Sequence, residues 1–142
     1  MNWLKKNTVL VPTDFSESSF EAIAIAKAYV EDVSGLQIIH SLSALHPADP
    51  AAMWDTLTDD ERKQKVHSFL LNKLNDLGYS GMHVEVRLGD PAAQIVEFAE
   101  KISAEMIVMP SQGHKGLSRF LIGSVAERVI RSAHCPVLVL KS

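Results

Sequence analysis

MIVMPSQGHKGLSRFLIGSVAERVI, Met106 to Ile130, decides how this chain is read. An apolar run of strand length, Met106 to Met109, breaks at Pro110 and passes through Gly113, Gly116 and Gly123. It resumes with helical spacing at Val125, Val129 and Ile130. Ser124 and Glu127 stand at the spacing of a capping box, so the helix is expected to begin with Ser124 as its N-cap. A strand that passes through a glycine-containing loop into a helix is half of a parallel βαβ unit. The same turn is where such units bind anions, because the first N–H groups of a helix have no partner within it.

Four more apolar runs resemble the first. They are TVLVP (Thr8 to Pro12), LQIIHS (Leu36 to Ser41), HVEVRL (His83 to Leu88) and PVLVL (Pro136 to Leu140). All but HVEVRL lack clear alternation, as expected of strands covered on both faces, whereas HVEVRL alternates like an edge strand. Helix signals separate them. Ser18 with Glu21 and Thr58 with Glu61 are candidate capping boxes, and Asp90 with Pro91 reads as N-cap and first helical residue. The expected inward stripes are Ile23, Ala26, Val30 and Val33, closed by Gly35; Val66, Phe69, Leu70, Leu74 and Leu77, closed by Gly78; and Ile95, Val96, Ala99 and Ile102. Strand and helix in regular alternation predict an α/β fold, an open parallel five-stranded sheet with right-handed crossovers and helices on both faces.

The length of 142 residues suits one domain spanning 1–142, and the one segment outside the pattern is the long loop 43–57, SALHPADPAAMWDTL. It is either a lid or a solvent loop pinned by Trp54. Lys and Arg total 14 against 17 Asp and Glu, a balance that favours neither nucleic acid nor an anionic membrane as partner. Cys135 is the only cysteine and no apolar run suits a signal peptide or membrane span, so a cytoplasmic protein is expected.

In open parallel sheets ligands bind beyond the carboxyl ends of the strands. After the first strand, Asp14 is placed either to accept hydrogen bonds from a ribose hydroxyl or adenine amine, or merely to offset a helix dipole. After the fourth, Gly123 lets a phosphate approach the backbone, and the N–H groups of Ser124, Val125 and Ala126 favour an anion, unless the glycines only serve turns. No Walker-type loop and no G-x-G-x-x-G are present. PSQG around Ser111 lacks the leading glycine of a nucleophile elbow, and the six histidines show no metal-ligand spacing, so neither a catalytic residue nor a metal site is assigned.

VLVPTDFSESS, GDPAAQIVEFA and IVMPSQGHKGLSRFLIGSVAERVIRSAHCPVLVLK together resemble the universal stress protein family, from Thr8 to Lys141. The resemblance implies a Rossmann-like sheet in the order 3-2-1-4-5, a homodimer, and ATP or AMP bound by G-x2-G-x9-G followed by Ser or Thr. Gly113, Gly123 and Ser124 match that motif; Pro110 stands at its first glycine. The implied contacts are Gly123, Ser124 and Val125 to phosphate, Gly113 and Pro110 on the ribose side, Pro12, Thr13 and Asp14 at the end of the first strand, Ser41 beside the adenine, and Met109 at the pocket base. Pro110 has no N–H to donate, a loss worth about 0.5–1.5 kcal/mol, or roughly tenfold in affinity. Lys115 and Arg119 are placed either to neutralise a terminal phosphate or only for solubility. Mg²⁺ would arrive with ATP, and hydrolysis would be slow at most. The expected function is a nucleotide-binding stress-response regulator acting on an unidentified protein partner and dimerising through the edge strand Val137 to Leu140. The alternative is a nucleotide-independent dimeric interaction protein of the same family.

Overall fold

The computed structural model describes residues 5–43, 58–111 and 122–141. Within them the apolar runs form β1 (Val9–Pro12), β2 (Leu36–Leu42), β3 (His83–Leu88), β4 (Met106–Pro110) and β5 (Val137–Leu140). Between them lie α1 (Glu17–Lys27), α2 (Asp59–Asp76), α3 (Pro91–Lys101) and α4 (Ser124–Ser132). The strands are all parallel in the order β3-β2-β1-β4-β5, as expected, with the alternating HVEVRL strand at one edge and β5 at the other.

Strand pleating divides the core in two. Val9, Val11, Leu36, Ile38, Met106 and Val108 face α1 and α2, where they meet Ala22, Ile23, Ala26, Leu70 and Leu74. The intervening Leu10, Ile39, Ile107 and Met109 face α3 and α4, against Ile95, Phe98, Ala99, Ala126 and Val129. That is why β1, β2 and β4 read as unbroken apolar runs: both faces are covered. Each fully buried Leu or Ile contributes about 1.5–3 kcal/mol.

Two helix starts fall where the caps predict. Thr58 Oγ1 accepts from Glu61 N at 3.1 Å, and Asp90 Oδ2 from Ala93 N at 3.0 Å ahead of Pro91. Two differ. Helix α1 is capped by Ser16, not Ser18, its hydroxyl accepting from Ser19 N at 3.3 Å. The N-cap of α4 is Gly123, not Ser124: Glu127 N donates to Gly123 O at 2.9 Å, so Ser124 already has helical backbone.

Helix α1 also stops at Lys27, well before Gly35. Val30 is buried by bridging to Lys6 beside the sheet, and Val33–Gly35 forms a separate 3-10 turn. A Cβ at Gly35 would run into the carbonyl oxygen of Asn7, so this glycine permits a close backbone approach. In α2 only Leu70 and Leu74 of the expected stripe are fully buried, while Phe69 and Leu77 are exposed; in α4, Ile130 is exposed as well.

Candidate functional site

Hydrogen-bond alternation along β4 defines a crevice. In a parallel ladder, successive N–H groups point to opposite neighbours. Ile107 N donates to Pro136 O and Ser111 N to Leu140 O, at 3.0 and 2.8 Å, so the odd-numbered residues face β5. Pro110 therefore turns its nitrogen toward β1. Yet β1 and β4 are paired only at Val9 with Met106 and Leu10 with Ile107, while β1 stays on β2 as far as Pro12 with Ile39. The sheet opens between β1 and β4 beyond Leu10, at the point where strand order reverses. Pro110 faces that opening, so its missing N–H breaks no bond of the sheet.

The first wall is the end of β1. Thr13 N donates to Ile39 O at 2.8 Å, and Thr13 Oγ1 lies 2.7 Å from Ser19 Oγ of α1. Asp14 follows, with Oδ1 accepting from Ser16 N at 3.0 Å in an Asx turn at the mouth of α1. The dipole-side role foreseen for this acid is thus realised in the fold. Phe15 sits at φ 66°, the left-handed region that a bulky residue rarely occupies. Its ring centroid is 4.6 Å from His40 and 5.5 Å from Phe69. His40 Nδ1 donates to Thr13 O at 2.7 Å, since a carbonyl can only accept. These contacts hold the strained turn in place.

The second wall joins β2 to β3. The Ser41 hydroxyl donates to Gly89 O at 2.8 Å, and Gly89, at φ 134°, returns its N–H to Leu42 O at 2.9 Å. The one proton of Ser41 is committed to this loop, leaving the oxygen as an acceptor. Asp90, next along, meets Arg128 of α4 in a two-pronged pair, with both N···O distances 2.8 Å. Arg128, together with the N–H of Ala93, holds the Asp90 carboxyl below the usual carboxylate range. This pair ties α4 to α3 across the surface.

The third wall is the start of α4. Gly123 N donates to Ser111 O at 2.6 Å, which brings the helix N-terminus against the end of β4. Among the described residues no side chain caps α4, in contrast to α1, α2 and α3. Gly123 has φ −62° and ψ 156°, an extended conformation open to any residue. The backbone therefore does not require glycine there; what glycine supplies is the absence of a side chain in front of the N–H groups of Ser124, Val125 and Ala126.

Of the residues singled out in the sequence, Pro12, Thr13, Asp14, Met109, Pro110, Gly123, Ser124 and Val125 gather around the opening between β1 and β4. Ser41 stands on β2 beside it, Met109 is buried beneath it, and Gly113, Lys115 and Arg119 lie outside the described residues. Phe15 and the Asp90–Arg128 pair were not foreseen. A bulky residue after PTD carries no sign of positive φ, and no sequence spacing relates Asp90 to Arg128. The groups present suit a phosphorylated ligand that also carries hydroxyls: a helix N-terminus that no described side chain caps, a glycine before it, and an accepting carboxylate on the opposite wall. Among the described residues no group of three or more His, Cys, Asp or Glu side chains can hold a metal ion, and no helix is long and apolar enough to cross a membrane.

The family model described as "Universal stress protein family" matches residues 6–141. Universal stress protein MJ0531 of Methanocaldococcus jannaschii is 39% identical over 139 residues, covering 94% of this chain and 81% of that one. Universal stress protein MJ0577 of the same organism is 32% identical over 152 residues, covering 94% and 93% of the two chains. The solved structure of MJ0577 superposes with a TM-score of 0.71 at 29% identity, over 98% of this chain and 96% of that one. An Arabidopsis thaliana universal stress protein family structure with AMP bound shares the fold at a TM-score of 0.60 and 21% identity, over 96% of this chain and 92% of its own.

Proposed function

This chain belongs to the universal stress protein family, and on that premise we propose that it is a cytoplasmic, single-domain regulator that binds ATP or AMP in the crevice between β1 and β4. The observation that carries the reading is the bare N-terminus of α4. Its N-cap is a glycine that the backbone does not require, and among the described residues no side chain caps its N–H groups. The phosphates lie there, with Gly123, Ser124 and Val125; Asp14 receives the ribose or adenine, and Ser41, Met109, Pro110 and Gly113 complete the pocket. Mg²⁺ accompanies ATP. No residue is assigned as a catalytic base, so the nucleotide acts as an occupancy signal, hydrolysed slowly at most.

A second copy of the chain is the proposed structural partner. Among the described residues strand β5 pairs only with β4, and its four apolar residues are each half-buried. An apolar strand with one unpaired edge is suited to a two-fold pairing with its copy. A downstream protein partner would then read the shape of the dimer.

Pro110 favours a second reading, in which the family's dimer persists without nucleotide. The two are separated by releasing small molecules from the purified protein by heat, followed by thermal-shift titration with AMP and ATP at millimolar concentration. Binding at 100 times Kd raises stability by about 2.7 kcal/mol. Absence of both released nucleotide and any shift overturns the nucleotide reading. Pro110→Gly restores one donor facing the opening and is expected to tighten AMP by up to roughly tenfold.

A further inference from the structure

We propose that the Asp90–Arg128 pair is a positioning clamp: it sets the direction of α4 relative to the wall built by β2 and the β3–α3 turn, and so tunes the site for a ligand that spans both. Neither side chain is assigned a contact with the ligand. The clamp rests on the nucleotide reading above and names what aligns its phosphate side with its adenine side.

The carboxylate end is built into the fold. Gly89 is fastened twice to the end of β2, its N–H donating to Leu42 O at 2.9 Å and its carbonyl accepting from the Ser41 hydroxyl at 2.8 Å. Asp90, next in the chain, is the N-cap of α3, with Oδ2 accepting from Ala93 N at 3.0 Å. The cap orients the carboxylate before any partner arrives, so little rotamer freedom is lost when it pairs. Arg128 meets it with two nitrogens, Nη1 on Oδ1 and Nη2 on Oδ2, each at 2.8 Å. Two parallel charge-assisted bonds set an angle as well as a distance.

The arginine end sits on the helix whose first N–H groups face the ligand. Helix α4 has one polar attachment at its start, from Gly123 N to Ser111 O at 2.6 Å, and a buried stripe of Ala126 and Val129. A single hydrogen bond leaves a pivot, and apolar contact is non-directional. Arg128 lies five residues beyond Gly123, about 7.5 Å along the axis, where a second directional attachment removes the pivot. Among the described residues the other contact of opposite charges between these units is Glu100 with His134, at 3.7 Å and at the far end of α3. It does not orient the start of α4.

With side chains 55% and 46% exposed, the Arg128–Asp90 pair adds only modestly to stability. Its consequence for binding is geometric. Adenosine would touch the walls made by β1 and β2, whereas AMP would also reach α4. Tilting α4 therefore penalises the spanning ligand and spares the shorter one, because a binding constellation must be held to within about 0.5 Å.

The test is calorimetric titration of wild type, Asp90→Asn, Arg128→Met and the double variant with AMP and with adenosine. Asn keeps the helix cap and Met keeps the apolar stem. Loss of the clamp is expected to weaken AMP about three- to fivefold in each single variant, with the double no worse than either and adenosine within a factor of about two. If the two residues acted only through their charges, the variants would move AMP in opposite directions, since removing a cation weakens phosphate binding and removing an acid strengthens it. AMP affinity unchanged or tightened in Asp90→Asn therefore overturns the clamp. Arg128→Lys keeps the charge and loses the fork, and should weaken AMP nearly as much as Met does; wild-type affinity in that variant overturns the claim of direction. Equal losses for AMP and adenosine overturn it as well, because the pair would then serve the domain as a whole. Wild-type protein that binds neither ligand removes the nucleotide reading and the clamp together; wild-type binding with unaffected variants removes the clamp alone.

Discussion

Replacing Gly123 by Asp separates what this position does for the fold from what it does for a ligand. The N-cap conformation, φ −62° and ψ 156°, accepts any residue, and the backbone bond from Gly123 N to Ser111 O survives the change. An Asp side chain there reaches the N–H of Val125 or Ala126. Asp in place of Gly at an N-cap gains a few tenths of a kcal/mol, and an acid at a helix N-terminus about 0.3–1 kcal/mol more. For a domain of this size that is a rise in Tm of about 2–4 °C. Binding moves the other way. The carboxylate takes the N–H groups that would hold phosphate, and at ~4 Å from a phosphate charge it adds a repulsion of about 4 kcal/mol at an effective dielectric of 20. Even discounted for solvent exposure, AMP affinity should fall by more than ~100-fold. Thermal melting without ligand and calorimetric titration with AMP read the two effects independently. AMP affinity within threefold of wild type would refute the placement of the phosphates. A fall in Tm beyond about 3 °C would show that glycine is there to make room for the protein's own atoms.

Three further outcomes are expected. Gly35→Ala drives a Cβ into the carbonyl oxygen of Asn7 and should cost about 1–3 kcal/mol by denaturant titration, an unchanged midpoint counting against the close approach. At Phe15, φ 66° costs an L-residue about 1–2 kcal/mol, while each ring contact, to His40 and to Phe69, returns about 0.5–1.5 kcal/mol. Phe15→Gly should therefore fall between about 1 kcal/mol more and about 2 kcal/mol less stable than wild type, and Phe15→Val should be clearly worse than Phe15→Gly, since it keeps the strain and loses the rings; the reverse order would refute this account of the turn. Asp90 has its folded carboxyl below the ordinary range because of Arg128 and the Ala93 N–H. Its contribution is present above the unfolded carboxylate pKa and is lost as pH falls through the lower folded one, so Asp90→Asn should flatten the acid limb of a stability–pH curve. An identical acid limb in the variant would mean that the pair with Arg128 carries no stability.

The helix starts show what kind of information local sequence holds. Thr58 has the capping-box spacing to Glu61 and Asp90 stands directly before Pro91, and both act as caps. In DFSESS, three serines compete, and Ser16 wins because the bond between Thr13 Oγ1 and Ser19 Oγ and the Asx turn of Asp14 place it at the turn into α1. At GSV the preference for serine as a cap pointed to Ser124, but the contact of Gly123 with Ser111 sets the start one residue earlier. Val30 reads as a helical position by period, yet it is buried through its bridge to Lys6.

The sequence by itself determined the alternating parallel architecture, because apolar runs that lack alternation must be covered on both faces and the caps between them leave room only for crossover helices. It singled out Asp14 and the turn around Gly123 as the places where a ligand would be sought, since such sheets present their ligand sites beyond the strand ends. Only the tertiary structure decided that Pro110 turns its nitrogen into the opening rather than into the sheet, for that depends on which carbonyls of β5 the neighbouring N–H groups meet. It alone decided that Gly123 is free of any conformational demand, and that Ser41 spends its proton on Gly89, far along the chain. Periodicity reports which face of an element is buried; the partner of a donor is set by register and loop geometry, which no single segment encodes.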